Sequence, residues 1–447
     1  MQKNPTHPGY WLTLLLSLLL TLCAACGTDF PSSNTTIVPT VPAGENIYVL
    51  DGYGAQANTY TSQHIVALHP GSAHPTAFVS LPSGLTSIDH HTLYTAVPQN
   101  GRTTISVIST QTGATMRSFI IPGTYATAAY GYDNAVVSST GQWLALRQYV
   151  ADTNLTTIAF IDTQAGRLVK SIKLSGDFTL DAISPGGKAL YLLEKLNDAP
   201  GHYYVRVYDV AGNTLLETPI VDKSALSPTG DPNMSGSAMA RQMVKDGTQA
   251  FTLYIDARRN LAFIHVLPLN DQIQPPIARC IDLPTGKSVD ALRYYTLALS
   301  ADGGTLYAAN GVLGIVTSIK LNTTDPLSIY SDQILSPKHF DPGNVTMNSE
   351  DKTRMLYNGA ALSTDQNTLY FTGIDGIWAV KTADLSVQGH YLTQQALTSV
   401  GLSADGKTLY AVDPTSGITL LDATTGQAQH VIQGTVQAPW GIEWITN

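Results

Sequence analysis

Apolar and polar positions alternate along most of this chain in short bursts. Segments such as Asn46-Ile47-Tyr48-Val49-Leu50, Thr157-Ile158-Ala159-Phe160-Ile161 and Ile418-Thr419-Leu420-Leu421 have the period of two and the β-branched and aromatic content of strands. Polar turns that close on glycine follow them, as in Asp162-Thr163-Gln164-Ala165-Gly166 and Asp422-Ala423-Thr424-Thr425-Gly426. A second turn pattern recurs, with Ser, any residue, Asp or Gly, a Gly or polar residue, and then Leu-Tyr. It runs from Ser300 to Tyr307, from Ser363 to Tyr370 and from Ser403 to Tyr410. Looser copies begin at Ser87, Ser138 and Ser184, and a degenerate one at Asp256. Asp and Gly supply tight-turn chemistry, and Leu-Tyr opens the next buried strand.

Each unit predicts four short strands in about 40 to 60 residues, which is how a propeller blade reads in sequence. The order of a Ser-Pro-Asp-Gly-like turn, a Leu-Tyr strand and an Asp-x-x-x-Gly turn resembles the YVTN-type β-propeller repeat. That repeat is related to WD40 within the quinoprotein-dehydrogenase-like superfamily. The resemblance implies an all-β propeller over residues 45–447. Asn46 to Leu50 reads as a second strand lacking a first, and Pro439-Trp440-Gly441-Ile442-Glu443-Trp444-Ile445 as a first strand lacking a second. Together they complete one blade, which gives eight. Seven stays open, because Phe251 to Leu292 is the least regular stretch.

The N-terminus has a different pattern. A weakly basic start precedes an apolar run over residues 11–22, and Cys23-Ala24-Ala25-Cys26-Gly27 follows. About a dozen apolar residues fall short of the roughly 20 that a spanning helix needs, so the run reads as a signal h-region. The small pair before Cys26 resembles a lipobox, although Cys23 stands where Leu is usual and is the rival site. The resemblance implies a signal peptide over 1–25, acylation of Cys26 and an exported, membrane-anchored lipoprotein facing the extracytoplasmic side. Residues 26–44, with their Thr, Ser, Pro and Asn, read as a flexible tether.

Composition narrows the picture further. Of three cysteines, only Cys280 follows the lipobox, so no disulfide framework is expected. Charged residues make up 13% of the chain, with a net charge of −9 and no basic stripe, which excludes nucleic acid as an expected partner.

Blade strands run alternately up and down, so connections one–two and three–four share one face, and two–three and blade-to-blade connections share the other. The first face is expected to hold the tight turns. The second is expected to hold the long connections, 51–63, 148–155, 195–202 and 267–276, together with insertions at 224–247 and 336–354. Loops on a rigid scaffold are where binding usually resides. Candidate residues on that face are Tyr53, Tyr60, Tyr149, Asp231, Asn233 and His339. Asp341, Asn344, Glu350 and Asp351, with Asn348, are oxygen donors that could hold calcium, although they match no EF-hand spacing. Asp-Pro turn initiation is the plainer reading of Asp231-Pro232 and Asp341-Pro342.

His64, His69, His74, His90 and His91 crowd the first blade, with His90 expected as a solvated turn residue. Cys280 reads as a strand residue, and Trp440 and Trp444 as packing groups, one of which could line the channel. No nucleophile elbow, zinc helix or haem motif occurs. The expected function is therefore a binding or scaffold module for a protein, small-molecule or carbohydrate ligand, working through its long loops. A lactonase-like hydrolase or lyase, with or without a cation, is the alternative from fold analogy alone. A sensor of carbohydrate or cell-envelope ligands is a third.

Overall fold

The computed structural model describes residues 44–52, 63–71, 75–127, 134–197, 201–223, 232–286, 288–321, 337–343, 345–352 and 354–446. The strands pair into eight separate sheets, six of four strands and two of five, arranged as an eight-bladed β-propeller. In the first blade Pro439–Thr446 lies beside Asn46–Asp51, followed outward by His64–Leu68 and Ala77–Pro82. The register Asn46↔Thr446 to Asp51↔Pro439 closes the ring as the two ends of the sequence indicated. Tyr48 stacks on Trp444 across this seam at 4.5 Å, and Asp51 Oδ1 accepts the Ala438 amide at 2.6 Å.

The core lies between blades. Ile158 and Phe160 of the third blade pack on Leu180, Leu190 and Leu192 of the fourth. Strands in the middle of a blade are covered by the neighbouring blades, so Gln249–Asp256 is buried throughout, whereas the outermost Thr115–Pro122 is mostly exposed. Each fully buried Leu, Ile or Phe contributes about 1.5–3 kcal/mol.

The recurrent turn has a specific hydrogen-bond logic. In Ser300, Ser363 and Ser403 the hydroxyl donates to the Asp two residues on, at 2.5, 2.6 and 2.7 Å. The same oxygen accepts the amide five residues on, which opens the second strand, at 2.8 Å in all three. The Ser hydroxyl and a turn amide hold Asp302, Asp365 and Asp405 below the usual carboxylate range. Gly303 and Gly406 supply the left-handed residue at φ +70° and +73°. The Tyr of the Leu-Tyr pair reaches into the following blade. Tyr370 donates to the Ala423 carbonyl at 3.1 Å, Tyr191 to Asn270 at 3.3 Å, and Tyr410 to Glu45.

Several expectations are corrected. Asp256 to Leu261 joins the second and third strands of the fifth blade, and the turn equivalent to the Ser motif is Val244 to Gln249. The stretch thought irregular carries strands two to four of a regular blade, Gln249–Asp256, Leu261–Pro268 and Ile277–Leu283. The short fourth strands are Thr214–Leu215 and Lys338–His339, in the fourth and sixth blades. Segment 267–276 therefore connects strands three and four and lies with the tight turns. Segment 148–155 is a hairpin with one 3-10 turn, Ala151–Thr153. Insertion 224–247 contains the fifth blade's inner strand, Ser237–Met243, and insertion 336–354 begins with the sixth blade's outer strand.

Candidate functional site

Eight inner strands around one axis leave a channel, and side chains that face it are fixed by rigid sheet. A cavity of about 620 Å³ occupies this channel, lined by residues of seven of the eight blades. That size lies within the roughly 300–1,000 Å³ of small-molecule sites. Its walls are mainly apolar, with Leu85, Val136, Ala238, Leu297 and Leu356 among them. Turns of the third and fifth blades meet at the tight-turn end, where Ser139 Oγ donates to the Asp246 carbonyl at 3.2 Å. His90 closes in at the same end, stacked on Trp444 at 5.3 Å with the planes 4° apart. His90 is thus not the solvated turn residue expected: burial pushes its imidazole down from the ordinary value.

Four polar features converge on the cavity. Glu443, on the closing strand, accepts the Tyr357 hydroxyl at 2.7 Å. Desolvation drives its carboxyl up to about 7, partly offset by that hydrogen bond, because no cation among the described residues acts on it. The side chain still meets the cavity, so it is enclosed by protein walls rather than packed in the core. Asp181 and Arg241 form a buried ion pair between the fourth and fifth blades, with side chains 4% and 9% exposed. Arg241 also donates to the Asp181 carbonyl at 2.5 Å and to Thr252 Oγ1 at 3.0 Å. Lys195 lines the wall while its ammonium lies 3.1 Å from Asp177, which Arg147 also binds. Arg293 is half-buried just before the sixth blade's inner strand, toward the long-connection face. Its guanidinium has no ion-pair or hydrogen-bond partner among the described residues.

Behind Arg241 lies a second polar group. His265 and Asp222 pair at 2.9 Å, both buried, with Tyr254 edge-on to the imidazole at 6.1 Å. Burial alone would lower the His265 pKa, but the Asp222 charge and hydrogen bond outweigh it and the net direction is upward. Asp222 belongs to Val221–Lys223, which pairs in parallel with Ile277–Leu283, so the pair fastens a connector of the fourth blade to the fifth.

The loop candidates are placed elsewhere. Tyr149 is a strand residue whose hydroxyl donates to Asn154 at 3.0 Å under the Arg147 guanidinium. Asn233 and His339 are exposed and do not line the cavity. Asp341 caps its own turn through the Gly343 amide at 2.8 Å. Glu350 and Asp351 share Arg354 at 3.0 and 3.7 Å, and Asp351 exchanges hydrogen bonds with Asn348. Cys26, Tyr53, Tyr60, Asp231 and Asn344 lie outside the described residues. Among the described residues no three of His, Cys, Asp and Glu are placed to share a metal ion. Sequence reasoning missed Glu443, Asp181 and Arg241. Their signal was a charge within an inner strand, as in Phe178-Thr-Leu-Asp-Ala-Ile183 and Pro439-Trp-Gly-Ile-Glu-Trp444.

Several solved structures are similar to this chain at low identity. Dihydro-heme d1 dehydrogenase NirN, in complex with DHE, is 12% identical over 91% of this chain and 78% of its own, with a TM-score of 0.49. Apo AztD from Citrobacter koseri is 11% identical over 89% and 97%, with a TM-score of 0.47. The periplasmic gluconolactonase PpgL of Pseudomonas aeruginosa is 14% identical over 79% and 99%, with a TM-score of 0.40. These likenesses concern the fold alone. No family model matches the chain, and no curated protein does.

Proposed function

We propose that this protein is an extracytoplasmic lipoprotein, held to the membrane through Cys26, whose propeller binds a small organic ligand in its central channel. The observation that carries the binding reading is the cavity itself. It is enclosed by seven blades, sized for one small molecule and mostly apolar, with a few polar groups that fix orientation. A rigid ring supplies a pre-formed site, so little ordering free energy opposes binding. The long connections then act as the rim of the entrance rather than as the binding surface.

Saturation-transfer NMR with a set of small organic compounds tests this. Compounds that receive saturation from the wild-type protein should lose it with Ala238→Trp, which places an indole in the channel at an exposed wall position. Equal transfer to both proteins would refute the channel as the site. For the anchor, acylation of the membrane-bound protein should disappear in Cys26→Ala, and an acylated Cys26→Ala protein would refute the assignment.

Glu443 favours a second reading, an enzyme using acid–base chemistry, since a carboxyl titrating near neutrality inside a cavity can give and take a proton. Turnover of a bound compound that Glu443→Gln abolishes would favour it. Binding without turnover favours the first.

A further inference from the structure

The charges around the channel are not all paired among the described residues. Arg241 is spent on Asp181, its guanidinium donating to both the carboxylate and the main-chain carbonyl of that residue. Lys195 is shared with Asp177. Arg293 is left with a guanidinium that no described carboxylate meets, on the wall of a cavity whose remaining acid, Glu443, is bonded only to a tyrosine hydroxyl. A half-buried cation in a cavity of low polarity is stabilised by an anion. The lining around it is aliphatic and tyrosyl, which suits an apolar body behind that anion.

We infer that the channel selects an organic anion, a carboxylate on an apolar body, held by Arg293 while Glu443 takes up one proton from solvent so that both carboxyl groups can occupy the cavity. This deepens the channel-binding reading and rests on it. The only bond formed is the O–H of the Glu443 carboxyl, whose proton is taken from solvent where the group is still ionised and returned when the ligand leaves. Among the described residues Tyr357 is the titratable group that bonds Glu443, while His90 and Tyr48 flank the adjoining Trp444. None carries a positive charge that would keep Glu443 ionised near neutrality.

Isothermal titration with 2-naphthoate and its uncharged counterpart 2-naphthamide decides the matter. At pH 6, naphthoate should bind the wild-type protein at least about tenfold more tightly than naphthamide, as one unscreened ion pair can supply. Between pH 6 and pH 8 its affinity should fall about tenfold, following the protonated fraction of a carboxyl that titrates near neutrality. Naphthamide should not respond to pH. Glu443→Gln should reduce the naphthoate pH response to less than about twofold, and Arg293→Met should remove the preference for naphthoate. Naphthamide binding as well as naphthoate, or a full pH response surviving in Glu443→Gln, overturns the anion inference while channel binding stands. If neither compound binds the wild-type protein at millimolar concentration, or both bind Ala238→Trp unchanged, the channel reading falls with it.

Discussion

Asp271 of the fifth blade completes the Ser184 turn of the fourth. Where other blades carry Ser-x-Asp, this turn reads Ser184-Pro185-Gly186, and the missing carboxylate arrives from the neighbouring blade. Ser184 Oγ donates to Asp271 Oδ1 at 2.6 Å, and the Gly186 amide donates to Oδ2 at 3.1 Å. A Cβ on Gly186 would lie 2.4 Å from Asp271 Oδ2, so glycine leaves the space that the borrowed carboxylate fills.

Asp271→Ala should therefore lower stability by about 1–3 kcal/mol, the cost of leaving the buried Ser184 hydroxyl without its charged acceptor. Gly186→Asp should destabilise alone by collision with Asp271. The double variant Gly186→Asp/Asp271→Ala should recover at least about half of either loss, because it restores the turn used elsewhere in the ring. Urea unfolding of all four proteins reads this, and strictly additive losses would show that the two positions do not exchange roles.

Much of the fold was legible because turn chemistry is local. The Ser-x-Asp turns and the unmatched half-blades at the two ends indicated eight blades and their closure, with seven left open. The fifth blade was misread by one strand because Val244 stands where Ser is expected, while Asp256 imitates the turn's acid. Since successive connections change faces, that slip moved 267–276 to the wrong face and hid the role of Asp271. The channel was less legible. Asp181 and Arg241 are 60 residues apart, and Tyr357 and Glu443 are 86 apart. No local spacing marks such pairs; only the superposition of inner strands does.

The Asp181–Arg241 pair should show the asymmetry of buried charges. Arg241→Met leaves a carboxylate at 4% exposure without its cation and should cost about 3–5 kcal/mol. Asp181→Leu/Arg241→Met should cost much less, since an apolar pair needs no compensation. Thermal unfolding compares them. A double variant no more stable than Arg241→Met would mean that the pair contributes more than mutual neutralisation.

Glu443 gives stability a pH slope. Its carboxyl titrates near 7 in the folded chain against 4.5 when free, so the folded state holds a proton that the unfolded state has lost. Stability contributed by that group is full below the free value, falls as pH rises between the two, and is flat above. The total is about 3 kcal/mol at most, reduced by water in the cavity. Glu443→Gln should remove the slope, so that the variant gains on the wild type between pH 5 and pH 8. Tyr357→Phe removes the hydrogen bond that favours the charged form and should move the titration upward. Denaturant unfolding at both pH values checks this, and a wild-type slope unchanged in Glu443→Gln would assign it to other groups.

The most direct test of the channel as a ligand site is crystallographic. Crystals of the propeller soaked with 2-naphthoate near pH 6 should show the compound inside the ring, its carboxylate against Arg293 and its body between the walls formed by Leu85, Val136 and Leu297. Compound seated only among the rim loops or on outer blade faces, with water alone in the channel, would contradict the account.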